Sequence, residues 1–302
     1  MARIEPVPAG ECEKVLARVL APLGGPALAS PTHVRSFAEY IETCALEWAA
    51  WRCRRHGRET ACLFVLLLPG RTAIAMFPGP RAQGTGVEDQ RWLLGVALER
   101  LTDRRLHYVQ ALVEPQAGDK REMLQANGFA HLTQLIYLRR RAASSGFRGA
   151  GDREVTWVAY DRQRHDAFAR MLLATYEGSR DCPELTGLRP IDAVIASHQA
   201  AGEFDPALWE LAGLAGEHAG CLLLSRLTHG PLMEVVYLGV APAWRGRGVG
   251  KLLVRRAVQQ CRRVGARELT AVVDCRNDPA RQLYAHFEFK PTATREAYIY
   301  QW

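Results

Sequence analysis

Between Glu234 and Lys251 the chain reads EVVYLGVAPAWRGRGVGK, an apolar strand pattern that runs into a glycine-rich turn. Gly246, Gly248 and Gly250 lack a Cβ, so the backbone there can adopt positive φ and approach a ligand closely. The free amides and the dipole of the following helix favour an anion at that point. The stretch therefore predicts a strand, a phosphate-binding turn and a helix, in that order.

The turn is also rich in positive charge. Arg245, Arg247 and Lys251 are basic, and no acidic residue occurs from Val235 to Arg267. A nucleotide-binding P-loop would need Ser or Thr after Lys251, where the chain has Leu. A dinucleotide fingerprint would need a different glycine spacing near the start of a domain. By itself, the turn could also be a flexible loop beside a solvated basic helix face.

Strand and helix patterns alternate on both sides of this stretch. In the N-terminal half, Phe37, Ile41, Cys44, Trp48 and Trp51 recur at helical spacing, and Pro69-Gly70-Arg71 predicts a hairpin turn. Such alternation predicts an α/β fold with a mixed sheet. The further predicted strands are 63–68, 72–77, 107–113, 132–138, 155–159, 208–214, 220–227, 234–240, 269–273 and 297–302, and the predicted helices are 87–102, 119–126, 162–176, 191–198, 248–264 and 279–287.

The two halves share this order of elements, which indicates a duplicated architecture. A helix followed by an aromatic residue ends at Phe129 in the first half and at Phe289 in the second. The basic, small-residue segment that starts at Arg139 has the composition of a linker. We therefore expect a domain at 1–142, a linker at 143–151 and a second domain at 152–302.

Three motifs together resemble the GNAT superfamily of acyltransferases. Arg245, Gly248 and Gly250 match its cofactor signature, Leu238–Pro242 resembles its fourth strand, and Asn277–Tyr284 resembles its Asn-x-x-Ala-x-x-x-Tyr segment. The resemblance implies two GNAT-like domains in tandem, each a mixed, mostly antiparallel sheet flanked by helices. The family often has Gly where this chain has Glu288, which suggests a different turn into the last strand.

The resemblance implies a direct N-acetyltransferase with acetyl-CoA, or another acyl-CoA, as cosubstrate and a primary amine as acceptor. Tyr284 would protonate the leaving thiolate, although it could instead be a buried helix aromatic. Glu234 is the candidate general base, or else a solvated strand residue. Glu177, Asp181 and Cys182 fall in the segment that shapes the acceptor site. The expected cofactor-binding residues are Leu238, Gly239, Val240, Arg245, Gly246, Arg247, Gly248, Val249, Gly250, Lys251 and Asn277.

The first half lacks these features. Gly79–Gly86 stands where the arginine-glycine loop should be and does not fit its signature, and Leu124 stands where Tyr284 would be. We therefore expect a degenerate N-terminal domain and one active site per chain. Two alternatives stay open at this point: a non-catalytic acyl-CoA-binding sensor or interaction module, and an enzyme that uses an aminoacyl-tRNA or a thiol-sugar conjugate.

Composition limits the partners. The net charge of +7 is spread along the chain without a nucleic-acid motif, so a nucleic-acid partner is not favoured. No apolar run is long enough for a membrane span, and the first residues lack the apolar core of a secretory signal. None of the eight cysteines forms a Cys-x-x-Cys pair, so neither disulfides nor a metal site is expected. We expect a cytoplasmic protein.

Overall fold

The computed structural model describes residues 2–24, 30–78, 86–143, 155–227 and 230–302. Two predicted segments lie almost entirely outside these residues: only Gly86 of the loop at 79–86 and only Ala143 of the linker at 143–151 are described. The elements are β1 Ala2–Pro6, α1 Cys12–Gly24, α2 Pro31–Thr43, β2 Trp48–Arg55, β3 Arg58–Leu68, β4 Thr72–Met76, α3 Val87–Leu101, β5 Tyr108–Val113, α4 Gly118–Ala126, β6 Ala130–Arg141, β7 Thr156–Ala159, α5 His165–Tyr176, α6 Ile191–Gln199, β8 Trp209–Leu214, β9 Glu217–Arg226, β10 Leu232–Val240, α7 Val249–Arg263, β11 Glu268–Asp274, α8 Asp278–His286 and β12 Lys290–Tyr300.

The chain forms two compact units. Unit 1 comprises Met1–Gln134 with Thr294–Trp302, and unit 2 comprises Leu135–Ala293. The strand order is β1-β2-β3-β4-β5-β12 in unit 1 and β6-β11-β10-β9-β8-β7 in unit 2. β4 pairs with β5, and β10 with β11, in parallel, whereas the other registered pairs are antiparallel. The predicted mixed sheet flanked by helices is therefore confirmed.

The same order of elements occurs twice, but the last strands are exchanged. β2, β3, β4, α3, β5, α4 and β6 recur as β8, β9, β10, α7, β11, α8 and β12. Most of β6 nevertheless pairs with β11 in unit 2, and β12 pairs with β5 in unit 1. The packing units thus differ from the expected boundaries of 1–142 and 152–302, because each half contributes its final strand to the other unit.

Alternate residues of β9 divide the core of unit 2 between the two faces of its sheet. Leu222 and Leu224 belong to the cluster beneath α7 and α8, whereas Cys221 and Leu223 belong to the cluster beneath α5 and α6. Both faces are therefore covered by helices, and the carboxyl ends of β10 and β11 lie between these two layers.

Two local expectations change. The predicted helical face at Phe37–Trp51 is wrong beyond Thr43, because Ala45 takes a φ of 48° and Trp48 begins β2, which pairs with β3 along its whole length. Sheet pairing overrides the helical spacing there. Glu288 adopts a φ of 61°, in the same left-handed region as Gly128 at 83° in the corresponding turn of unit 1. The two turns therefore match although one lacks glycine.

Of the described helices, none has the length and apolarity needed to cross a membrane.

Candidate active site

Strands β10 and β11 separate at the edge where the predicted site residues occur. They pair in parallel only from Leu232 to Val235, opposite Glu268 to Ala271. Beyond that point β10 continues to Val240, paired only with β9, and an irregularity after Val235 shifts its register. The backbone of Leu238, Gly239 and Val240 therefore faces a gap on the β11 side.

Gly239 brings β10 close to α5. A Cβ at this position would lie 2.7 Å from the Cβ and Oγ1 atoms of Thr175. The Thr175 hydroxyl is also 2.8 Å from the hydroxyl of Tyr237. Glycine is required here because any side chain would push α5 away from the strand.

The arginine-glycine loop follows the gap and opens α7. Gly246 has a φ of 72° and Gly248 a φ of 85°, and nothing lies within 4 Å of a Cβ built on either residue. In the described part of the chain, no backbone carbonyl accepts from the amides of Gly246, Gly248 or Gly250. These amides lie at the positive end of the dipole of α7, which begins at Val249. The loop therefore offers a cluster of donors to an anion.

The three basic side chains of the loop are used differently. Arg245 turns inward, where its Nε donates to the carbonyl of Val240 at 3.1 Å and its Nη2 to that of Thr175 at 2.9 Å. Arg247 lies over the Trp244 ring, 5.6 Å from the ring centroid. Lys251 is exposed on the first turn of α7. Arg245 thus ties β10 to the end of α5, whereas Arg247 and Lys251 carry the exposed positive charge beside the loop.

Tyr284 lies on α8 with its side chain buried at 6% exposure. Its ring contacts Phe289 edge-on, with 5.0 Å between the ring centroids. Burial raises the pKa of its phenol well above the ordinary value, and the nearby charge of Asp181 raises it further. Tyr284 is therefore held as a neutral phenol that can donate a proton.

Asn277 precedes α8 and caps it. Its side-chain carbonyl accepts from the amide of Ala280 at 3.3 Å, and Pro279 occupies the first turn, where its missing amide costs nothing. The side chain of Asn277 also hydrogen-bonds Asp181. The predicted cofactor residue is therefore also a structural cap.

Glu234 lies on the paired part of β10, opposite Thr270. It is half-buried, and none of the described residues gives its carboxylate a hydrogen bond or an ion pair. Desolvation raises the pKa of this carboxyl to about 7. A carboxyl that titrates near neutrality is suited to accept a proton from an ammonium group.

A cluster of which the sequence had singled out only Asp181 and Cys182 ties the α5–α6 loop to the end of β11. The buried carboxylate of Asp274 accepts from the amide of Cys182 at 3.0 Å, and the amide of Asp274 donates to Asp181 at the same distance. Arg276 bridges Asp274 and Glu184, with Nη2 2.7 Å from Asp274 Oδ2 and 2.9 Å from Glu184 Oε2. We call these five residues the carboxylate clasp. An acidic residue at the end of an apolar strand was the one available signal for it.

Tyr237 and His198 form a second polar group that the sequence did not reveal. The ring of Tyr237 is 5.7 Å from that of His198 and 5.6 Å from that of Tyr176. Burial lowers the pKa of His198 to about 4, so its imidazole is neutral.

Among the described residues, no group of three or more His, Cys, Asp or Glu side chains is placed to hold a metal ion.

Comparison with known proteins places this site in a family. Residues 168–289 match the family described as "Acetyltransferase (GNAT) family". The chain contains a GNAT acetyltransferase domain. This GNAT domain includes the gap between β10 and β11, the arginine-glycine loop, Asn277 and Tyr284.

Two curated relatives resemble parts of the chain. A mycothiol acetyltransferase of Beutenbergia cavernae is 36% identical over 98 residues, which is 32% of this chain and 32% of that protein. A putative [ribosomal protein bS18]-alanine N-acetyltransferase of Bacillus subtilis is 34% identical over 65 residues, 22% of this chain and 43% of that protein. The chain therefore matches about a third of the first relative and less than half of the second.

Solved structures resemble the chain over its whole length. A GCN5-related N-acetyltransferase from Sphaerobacter thermophilus has a TM-score of 0.72 at 17% identity, with 99% of this chain and 95% of that one covered. A tandem GNAT protein from the clavulanic acid biosynthesis pathway has a TM-score of 0.61 at 17% identity, with 100% and 98% covered. At such identities the likeness shows the fold, here a tandem of GNAT-like halves.

Proposed function

We propose that this protein is an N-acetyltransferase that moves an acetyl group from acetyl-CoA directly to a primary amine. The observation that carries the proposal is the gap between β10 and β11, which opens next to a loop of unpaired amides. A pyrophosphate needs clustered donors, and a pantetheine arm needs a strand with a free edge. The two features occur side by side.

The residues present fit the cofactor. The amides of Gly246, Gly248, Val249 and Gly250, with Arg247 and Lys251, would hold the pyrophosphate. The free edge of Leu238, Gly239 and Val240 would hold the pantetheine arm, while Arg245 fixes that edge from behind through the carbonyl of Val240. When bound, acetyl-CoA supplies an acetyl thioester that an amine can attack.

Two side chains would move protons. Glu234, whose carboxyl has a pKa of about 7, accepts a proton from the ammonium group so that the amine nitrogen can attack. Tyr284 donates its phenolic proton to the sulfur as the carbon–sulfur bond breaks. Asn277 would contribute by capping α8 and thereby holding Tyr284 in place.

The acceptor is assigned only as a primary amine. The names of the two relatives point to different products: the name of one refers to mycothiol, and the name of the other refers to an alanine of a ribosomal protein. The GNAT domain could therefore serve a small amine or a protein terminus.

The test combines calorimetry with an assay for thiol release. We expect acetyl-CoA to bind and free CoA to appear with one member of a panel of alanyl peptides, lysyl peptides, aminothiols and small amines. Absence of binding at millimolar acetyl-CoA contradicts the proposal. Binding without thiol release on every acceptor supports a non-catalytic acyl-CoA module instead.

A further inference from the structure

The closed end of the gap between β10 and β11 is where an acyl group would lie, an inference that rests on the proposed function. A pyrophosphate at the arginine-glycine loop and a pantetheine arm along Val240, Gly239 and Leu238 bring the thioester towards the point where the two strands join. Val235 lies opposite Ala271 there, in the last registered pair of the two strands. Because the strands are paired from this point on, an acyl chain cannot continue between them and must turn towards one face of the sheet.

The face beneath α7 and α8 is filled at this point. Val235 is 6% exposed, Ala271 1% and Val273 2%, and all three belong to the core cluster that also contains Tyr284. Val272, whose side chain points to the opposite face, is only half-buried. An acyl chain that leaves the gap is therefore directed to the face of α5 and α6.

An irregularity in β10 turns two successive side chains to that face. Val235 lies opposite Leu224 and Tyr237 opposite Leu223, so the register gives Val236 no partner on β9. Val236 and Tyr237 both pack against the core cluster beneath α5 and α6. A regular strand would place them on opposite faces. Tyr237 is therefore brought to the side on which an acyl chain would leave the gap.

The ring of Tyr237 is fixed by a hydrogen bond and by two neighbouring rings. The hydroxyl of Thr175 donates to the carbonyl of Leu172 at 2.7 Å, so Tyr237 is the donor in the 2.8 Å contact between its own hydroxyl and that of Thr175. The rings of Tyr176 and His198 have their centroids 5.6 and 5.7 Å from that of Tyr237. Burial raises the pKa of the Tyr237 phenol well above its ordinary value, so the phenol keeps the proton that it donates. The ring cannot swing aside without breaking these contacts.

The same ring lies directly against the strand edge assigned to the pantetheine arm. A Cβ at Gly239 would be 2.7 Å from the Cε1 atom of Tyr237. In addition to burial, the charge of Asp181 raises the pKa of both Tyr237 and Tyr284, so both phenols lie near one carboxylate. Tyr284 belongs to the cluster beneath α7 and α8, and Tyr237 packs against the cluster beneath α5 and α6. The two phenols therefore flank the place of the thioester from opposite faces of the sheet.

We propose that the ring of Tyr237 is the wall that ends the acyl pocket, so that the site accepts an acetyl thioester and discriminates against longer acyl chains. A longer chain would have to displace the ring from Thr175 or lie along β10 towards Glu234. Glu234 is on the same face as Tyr237, because its neighbours Met233 and Val235 belong to the cluster on the other face. The first route costs the hydrogen bond to Thr175, and the second occupies the place of the attacking amine.

The experiment measures the calorimetric affinities of the full chain for CoA, acetyl-CoA and hexanoyl-CoA, so it needs no acceptor. In the wild type we expect hexanoyl-CoA to bind roughly tenfold or more weakly than acetyl-CoA, the lower end of what one excluded methylene group costs in a closed pocket. Tyr237→Leu removes the outer part of the wall and should abolish this difference, while the affinity for CoA itself stays unchanged. Tyr237→Phe keeps the ring and should keep the difference. Tyr237→Met, whose flexible side chain adapts to the space, is the second variant if Tyr237→Leu does not fold.

Tyr160→Leu is the matched control. Tyr160 packs against the same cluster as Tyr237, in contact with Phe168 and Trp209, but it follows β7, the outermost strand of unit 2. This variant should lose stability and keep the wild-type preference for acetyl-CoA. The proposal is overturned if the wild type binds both thioesters equally, if the folded Tyr237 variant keeps the wild-type difference, or if Tyr160→Leu abolishes it. These results leave the proposed function standing, whereas absence of acetyl-CoA binding overturns the proposed function and the acyl wall together.

Discussion

The backbone amide of Asp274, at the end of β11, donates a 3.0 Å hydrogen bond to the carboxylate of Asp181, ninety-three residues earlier in the chain. The Asp274 carboxylate in turn accepts from the amide of Cys182. This reciprocal pair fixes the α5–α6 loop beside Tyr284, whose pKa the charge of Asp181 raises. The position of the α5–α6 loop beside Tyr284 therefore depends on the carboxylate clasp.

Asp274→Ala should lower the free energy of unfolding by about 2–4 kcal/mol, because it leaves the amide of Cys182 without its partner and Arg276 without its buried one. Urea unfolding followed by fluorescence measures the change. Asp192→Ala is the matched control, since it removes an exposed carboxylate that pairs with His165 at 3.0 Å. The clasp has no energetic role if both variants share the wild-type midpoint.

Tyr284→Phe should lower kcat by roughly 10²–10⁴-fold, the range for a lost general acid, and leave the affinity for acetyl-CoA unchanged. The buried ring keeps its contact with Phe289, so the fold is preserved. Thiol release and calorimetry test the two parts separately. Wild-type kcat in this variant would assign the proton to another donor.

The rate should follow the titration of Glu234. Because burial raises the pKa of this carboxyl to about 7, kcat/KM should rise with pH through neutrality as the carboxylate forms. In Glu234→Gln that ascending limb should disappear, while any limb due to the acceptor amine persists. An identical pH profile in the two proteins argues that Glu234 is not the base.

The same titration should affect stability in the opposite sense. The pKa of this carboxyl is about 7 in the folded protein, above the ordinary value of 4.5. Between pH 4.5 and pH 7 the folded state therefore keeps a proton that the unfolded state has lost, and the free energy of unfolding falls as the pH rises through this range. Glu234→Gln should therefore be more stable than the wild type at pH 8, by at most about 3 kcal/mol, and nearly equal to it at pH 4. Urea unfolding at both values checks the sign. A variant less stable at pH 8 would show that the ionised carboxylate has a stabilising partner.

Gly248→Ala should weaken acetyl-CoA binding more than it weakens the fold. With a φ of 85° the alanine costs about 1 kcal/mol, and its methyl group would stand among the amides that face the ligand. Gly216→Ala is the matched control, because Gly216 has a φ of 84°, has equally open space and lies in the β8–β9 turn. We expect equal losses of stability and a loss of CoA affinity only at Gly248. Equal affinities would mean that the loop does not hold the pyrophosphate.

Local patterns were sufficient for much of the fold. The turn at Gly246–Gly250, the helix after it and the hairpin at Pro69–Arg71 depend on residues adjacent in sequence, and the structure has them where the sequence predicts. The helical spacing at Trp48 and Trp51 misled because the pairing of β2 with β3 depends on residues more than ten positions away. The spacing of apolar residues alone does not show whether a segment forms a helix or pairs with a distant strand.

Long-range contacts account for the rest of the site. The sequence assigns Arg245 to the ligand through its motif, yet the guanidinium is held by carbonyls on two different elements. Asp274 was overlooked because Cys182 and Glu184, the members of the clasp on the α5–α6 loop, approach Asp274 and Arg276 only when that loop folds over the end of β11.

The exchange of β6 and β12 has a consequence for how the gene can be divided. A cut near residue 150 would leave the first polypeptide without the partner that β12 provides for β5, and the second without the partner that β6 provides for β11. Each fragment would expose an unpaired strand edge, which promotes aggregation. The two fragments should therefore be insoluble when made separately and recover a soluble complex when made in the same cell.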